Sequence, residues 1–269
     1  TDYGPDPARL NKVIEAYQAN PGPDAAQAFL RASESRRLDL FRLINTVPGG
    51  TLFLIKMRED LFDALRDNPD LKPVDRDFEH LFGFWFNKGF LELRQLDWET
   101  PAYILEKLID YEAVHEIRDW NDLRRRLESD RRCFAFFHPA LPGEPLIFVE
   151  VALTNGLASS IQAVLNEPVS GADQRVDTAI FYSISNCHTG LRSVSFGDSL
   201  LKQVVSLLQD EEPSLKKFAT LSPVPGFMRW LGQENAPLAE TIRTIVETDG
   251  SQALEEYREQ LLRQCAQYL

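Results

Sequence analysis

The sequence predicts an α+β protein, an all-helical bundle followed by a mixed-sheet α/β part. Three observations predict it. Apolar residues recur at helical spacing on successive segments up to about residue 85, β-rich runs begin near Arg131, and Thr178–Phe227 reads as one βαβ unit. A chain of 269 residues can bury a sizeable core, and 43% hydrophobic with 26% charged residues is ordinary for a globular protein.

The elements follow from period and punctuation. Leu10, Val13, Ile14 and Tyr17 lie at i, i+3, i+4 and i+7, and Asn20-Pro-Gly-Pro stops that helix. A second helix is expected from about Asp24 to Ile44. Pro48-Gly49-Gly50 separates it from a third that carries Leu52, Ile55, Met57, Leu61 and Leu65. After Asn68-Pro69 and Lys72-Pro73, the residues Val74, Phe78, Leu81, Phe82 and Trp85 make one apolar stripe on a fourth helix. Such a stripe suits a core or a subunit interface rather than a cofactor box. Thr100-Pro101 reads as an N-cap with Pro at the first helical position. Asp119–Leu127 reads as a short helix with Trp120, Leu123 and Leu127 inward. The boundary between the two parts is expected near residue 115, giving a helical domain over 1–115 and an α/β domain over 116–269.

Near Arg131 the period shortens. Cys133–His138 and Leu146–Leu153 read as antiparallel strands joined by a Pro- and Gly-bearing turn, and a short helix follows from about Ser159 to Leu165. Ala179–Ile184 is then a strand. A helix begins near Asp198 with Leu200, Leu201, Val204, Val205, Leu207 and Leu208 on one face, and Phe218–Leu221 is the next strand. Further helices follow Phe227.

A net charge of -12 argues against a nucleic-acid partner, which needs a basic face. The one basic cluster, Arg124, Arg125, Arg126, Arg131 and Arg132, sits among acids and is expected at a solvated helix end. No apolar run approaches the roughly 18 to 20 residues that span a bilayer. No signal-peptide pattern opens the chain, and three scattered cysteines suit reduced thiols in a cytosolic or matrix-like compartment; on a bacterial reading a cytoplasmic protein is expected. The histidines His80, His115, His138 and His188 have no metal-ligand spacing.

Two places can carry chemistry. Ligands bind at the carboxyl ends of parallel strands in open α/β sheets, so Arg192–Asp198 and Ser222 are expected to face one crevice. In the turn Arg192-Ser193-Val194-Ser195-Phe196-Gly197, small residues let the backbone approach a ligand, and successive N–H groups leading into a helix at Asp198 can cradle a diphosphate. The same letters also describe a plain strand-to-helix turn. Ser222 precedes Pro223-Val224-Pro225-Gly226, whose two prolines stiffen the loop, and it reads equally as a helix N-cap. His188, close to that turn, is either a proton-transfer group or simply a turn residue.

The segments FFHPALPGEPLIFVEVAL, TAIFYSISN, GLRSVSFGDSLLKQVV and FATLSPVPGFMRWL resemble malonyl-CoA decarboxylases. The resemblance extends back through FWFNKGFLELRQLDWETPAYILEKL and MREDL, so it covers nearly the whole chain. It implies a helical oligomerisation domain and a catalytic domain of the acetyltransferase-like GNAT fold. It also implies that Arg192–Asp198 binds the CoA diphosphate, with Ser195 replacing a glycine of the usual turn, and that Ser222 is catalytic. The implied reaction converts malonyl-CoA to acetyl-CoA and carbon dioxide with no cofactor, in a homo-oligomer without nucleic-acid or membrane partners. An N-acyltransferase or a non-catalytic acyl-CoA-binding module shares the same turn. The family's catalytic histidine lies in a later FHLxNG-like segment beyond the match to Leu262–Leu269, so the chain is expected to be truncated at both ends.

Overall fold

Strands β2 (Arg131–Phe137) and β3 (Pro145–Thr154) are buried along nearly their whole length, because helices cover both faces of the sheet they centre. The computed structural model describes residues 3–112, 114–158, 160–166, 175–194, 199–222, 224–248 and 251–269. The chain divides into two compact units, Thr1–Leu221 and Ser222–Leu269.

The first unit opens with α1 (Pro7–Ala19), α2 (Pro23–Ser33), α3 (Arg36–Asn45), α4 (Gly50–Asp67) and α5 (Lys72–Trp85). Then come β1 (Glu92–Leu96), α6 (Ala102–Tyr111), α7 (Trp120–Arg126), β2, β3, α8 (Ile161–Asn166), β4 (Thr178–Asn186), α9 (Ser199–Glu211) and β5 (Lys217–Thr220). The sheet order is β1-β2-β3-β4-β5. Its first three pairings are antiparallel, and β4 with β5 is parallel. The architecture is therefore α+β, a helical bundle followed by a mixed five-stranded sheet in which β4, a turn, α9 and β5 form the βαβ unit.

One core joins the bundle to the sheet. Leu54 and Ile55 of α4 and Phe78 and Phe82 of α5 cluster with Phe134, Phe136, Val149, Val151 and Phe181 of the sheet and with Leu200, Val204 and Leu208 of α9. The aromatic stripe of α5 is thus core, with Phe78 stacked on Phe41 of α3 at 4.3 Å between ring centroids. The opposite face packs Leu105 and Leu108 of α6 and Leu123 of α7 onto Cys133, Ala135, Phe137 and Phe148. The second unit folds on itself. In it α10 (Phe227–Glu234), α11 (Ala236–Glu247), α12 (Ser251–Glu256) and α13 (Arg258–Tyr268) enclose Phe227, Leu231, Leu238, Ala239 and Ile242.

Several expectations need correction. The helix expected over Asp24–Ile44 is two helices, because Glu34 and Ser35 are extended and the Ser35 hydroxyl donates to Asp77 Oδ2 at 2.7 Å. Pro101 caps α6 instead of opening it, and the Thr100 hydroxyl accepts from the Asp97 amide. Trp120 faces outward at 46% exposure, although Leu123 beside it is buried. Strand β1 escaped the period test because Glu92, Arg94 and Gln95 make it a polar edge. It lies before residue 115, so the expected boundary there coincides neither with the start of the sheet nor with the division after Leu221.

The arginine cluster is not a solvated helix end. Arg126 and Arg131 are buried at 4% and 3% exposure. Arg126 donates to Glu150 Oε2 at 2.6 Å and to the His115 carbonyl at 3.2 Å, while Arg131 donates to the Val164 carbonyl and to Asp130. These pairs tie α7 and α8 to the sheet.

Candidate functional site

Strand β5 follows β4 only from Thr178 to Phe181, and the Leu221 amide makes the last link to the Phe181 carbonyl at 2.8 Å. Beyond that point β4 runs on to Asn186 without a β5 partner among the described residues. At the same level β4 carries an extra residue, Tyr182, since Phe181 pairs with Val151 and Ser183 with Glu150. A bulge of this kind re-aims the strand and its backbone groups. Glu112 fastens it from the far side, accepting from the Ser183 and Ser185 hydroxyls at 2.7 to 2.9 Å and from the amides of Val114 and His115 at 2.8 Å.

The chain leaves β4 through Cys187 and His188 into a 3-10 turn at Thr189–Leu191. His188 is buried, with its ring 5.6 Å from that of Tyr111, and burial pushes its pKa down. It packs at the root of the turn, with its burial favouring the neutral ring. Gly190 has no room for a side chain, because a Cβ there would lie 2.2 Å from the Ile55 carbonyl oxygen of α4. Its amide donates to Glu59 Oε1 at 3.1 Å.

Arg58 of α4, only 1% exposed, grips the same turn. Its guanidinium donates to the carbonyls of Gly190 at 3.0 Å and Arg192 at 2.8 Å, and it pairs with Asp75 at 2.8 Å and Glu79 at 3.2 Å on α5. Ser193 follows with φ at +70°, a strained value for a residue with a Cβ. Arg192 is exposed and has no carboxylate partner among the described residues, and its guanidinium lies 6.0 Å from the Phe62 ring centroid. Of the expected anion turn, Arg192, Ser193 and Val194 are therefore placed. Ser195, Phe196, Gly197 and Asp198 lie outside the described residues.

Ser222 opens the second unit. It is exposed, and its hydroxyl makes no hydrogen bond among the described residues. It is not a helix cap, since α10 is capped by Gly226 at φ +81°. The loop between them is held from the C-terminal end of the unit, where the Tyr268 hydroxyl donates to the Pro225 carbonyl at 2.7 Å. The Tyr268 ring also packs on Phe227 and Trp230. Pro225 and this tether restrain the loop where it enters α10.

Sequence reasoning missed Arg58, Glu112 and Glu150. A signal existed for Arg58, which is in helical phase with the buried Leu54 and Ile55, so it sits on the core stripe of α4. Glu150 likewise interrupts the apolar run Leu146–Leu153. Among the described residues no group of three or more His, Cys, Asp or Glu side chains is placed to hold a metal ion.

Residues 3–86 match the malonyl-CoA decarboxylase N-terminal domain, and residues 89–266 match the malonyl-CoA decarboxylase C-terminal domain. The chain belongs to the malonyl-CoA decarboxylase family. The two family domains meet between residues 86 and 89, just before β1.

Among solved structures, the malonyl-CoA decarboxylase from Rhodopseudomonas palustris is 52% identical, with a TM-score of 0.82 over 87% of this chain and 58% of that one. That from Agrobacterium vitis is 54% identical, with a TM-score of 0.81 over 88% and 58%. The mitochondrial malonyl-CoA decarboxylase of the goose Anser anser anser is 38% identical over 245 residues, 86% of this chain and 49% of its own length. That of the mouse is 40% identical over 199 residues, covering 71% of this chain and 40% of its own length. The chain thus spans about half the length, or less, of the curated relatives it matches.

Proposed function

We propose that the protein containing this chain decarboxylates malonyl-CoA to acetyl-CoA and carbon dioxide. The observation that carries the proposal is the family match along both parts of the chain, with malonyl-CoA decarboxylases of known structure at 52% and 54% identity. In this reading Arg192–Asp198 holds the CoA diphosphate. The unpaired Arg192 supplies charge, and the backbone at the start of α9 supplies N–H donors.

The bond between the carboxylate carbon and C2 of the malonyl group breaks, and its electron pair passes into the thioester carbonyl as an enolate. C2 then takes a proton. The thioester is its own electron sink, so the proposed reaction calls on no cofactor. Ser222, exposed and with its hydroxyl free of hydrogen bonds among the described residues, is proposed to donate to the developing enolate oxygen or to orient the carboxylate. The acid is proposed to be a histidine outside this chain, since none of His80, His115, His138 and His188 stands in an FHLxNG-like segment.

A homo-oligomer is proposed through the helical part. Helix α1 buries none of its residues, and Ile14, Tyr17, Phe29 and Leu30 line an apolar groove of about 600 Å³ between α1 and α2. No helix among the described residues is long and apolar enough to cross a membrane. With Cys133 and Cys187 as buried free thiols, a bacterial cytoplasm is the proposed compartment.

The test uses the full-length protein and malonyl-CoA labelled in its free carboxyl group. The expected result is labelled carbon dioxide and an equal amount of acetyl-CoA, with no acceptor required. Acylation of an added amine without carbon dioxide release would replace this reading with an N-acyltransferase. Tight malonyl-CoA binding without any turnover would leave a binding module.

A further inference from the structure

The grip of α4 on the turn after β4 has a direction. Arg58 is buried, and its charge is matched by Asp75 and Glu79, so it cannot touch a ligand and attracts one only weakly. What it does is orient peptides. It draws the carbonyls of Gly190 and Arg192 toward α4 at 3.0 and 2.8 Å. A trans peptide is planar, with its C=O and N–H on opposite sides, so the N–H groups of Leu191 and Ser193 turn away from α4. The Leu191 amide is used within the turn, by the His188 carbonyl at 3.1 Å. That of Ser193 has no acceptor among the described residues.

Two neighbouring contacts reinforce the grip. The Gly190 amide reaches Glu59 Oε1, and the Ile55 carbonyl fills the space where a Gly190 side chain would stand. One turn of α4, from Ile55 to Glu59, thus holds a turn more than 130 residues away in sequence. Phe62, a further turn along α4, carries the Arg58 guanidinium at 5.0 Å from its ring centroid and that of Arg192 at 6.0 Å. Asp75 and Glu79 fix the far side of the Arg58 fork, so α5 takes part as well.

We propose that Arg58 is a positioning residue for the diphosphate of the CoA substrate. From the helical part of the chain it sets the direction in which the Arg192–Ser193 backbone presents its free N–H. The proposal rests on the reading of Arg192–Asp198 as the diphosphate turn. A lysine cannot replace it, because one ammonium cannot span two carbonyls and two carboxylates in a planar fork.

The experiment compares two substrates of the full-length protein, malonyl-CoA and the malonyl thioester of N-acetylcysteamine, which lacks the diphosphate. The readout is the ratio of their kcat/KM values. Arg58→Lys should lower that ratio about tenfold, through a higher KM for malonyl-CoA, with the short thioester changed less than about twofold. Glu59→Ala removes a weaker contact from a partly exposed side chain and should lower the ratio by a smaller factor. It carries the test if Arg58→Lys does not fold. An equal loss on both substrates would make Arg58 a merely structural residue and overturn the proposal, as would an unchanged ratio in the folded variants. Gly197→Val is the control for the underlying reading. If it leaves the ratio intact, the turn is not the diphosphate site and both ideas fall. If it abolishes the preference while Arg58→Lys and Glu59→Ala keep it, only the role of Arg58 falls.

Discussion

Glu150 is fully buried opposite the β4 bulge, with Arg126 2.6 Å from one carboxylate oxygen and no partner for the other among the described residues. Burial, only partly offset by Arg126, pushes its pKa up to about 7. Below about pH 4.5 the carboxyl is neutral in the folded and the unfolded chain, and pH has no leverage. Between about 4.5 and 7 the unfolded chain ionises while the folded chain keeps its proton, so stability falls as pH rises. Replacing the group by Glu150→Gln removes that slope, at the separate and pH-independent cost of altering the buried hydrogen bond with Arg126. Thermal melting at pH 5 and pH 7.5 should show the wild type losing on the order of 2 to 3 kcal/mol relative to the variant. A difference that stays flat, or runs the other way, would contradict the burial argument. Residues of this kind were the least legible in the sequence. Charged letters read as surface by default, and only their phase within an apolar stripe, as for Arg58, or within an apolar run, as for Glu150, betrays them. That Arg192 and Ser222 lie on turns after β4 and β5 was legible because turn chemistry is local.

Helices α1 and α2 make an element-scale case. Their apolar residues have the right period for a helix, yet Tyr17, Phe29 and Leu30 remain 42%, 37% and 63% exposed. An apolar face of this extent suits an interaction surface, and the proposed occupant is a second copy of the chain. Tyr17→Asp combined with Leu30→Asp should shift sedimentation of the full-length protein to a smaller species at micromolar concentration, without loss of fold by circular dichroism. An unchanged species would remove α1 and α2 from the interface. At this scale period and punctuation carried far. The strands β2 to β5 and most helices lie within a few residues of their expected limits, since Pro, Gly and Asn mark the ends. The failures have tertiary causes. The break between α2 and α3 is held by Asp77 more than forty residues away, and β1 exists because it has β2 to pair with.

For the molecule as a whole, the bundle and the sheet share one core, so α4 and α5 are walls of the same unit that carries the turn after β4. Sequence similarity placed the chain in the malonyl-CoA decarboxylase family, which composition and period could not do, because the proposed decarboxylation calls on a few donors and leaves no metal-ligand spacing to read. The core that unites the two parts was not legible, since the partner of an apolar stripe is not written within the stripe. The proposed role of Ser222 is tested most directly by the turnover of full-length Ser222→Ala on malonyl-CoA, followed as carbon dioxide released. Loss of a hydrogen-bond donor to the developing enolate should lower kcat about 10- to 1,000-fold with the melting temperature unchanged. Carbon dioxide release at the wild-type rate would contradict it.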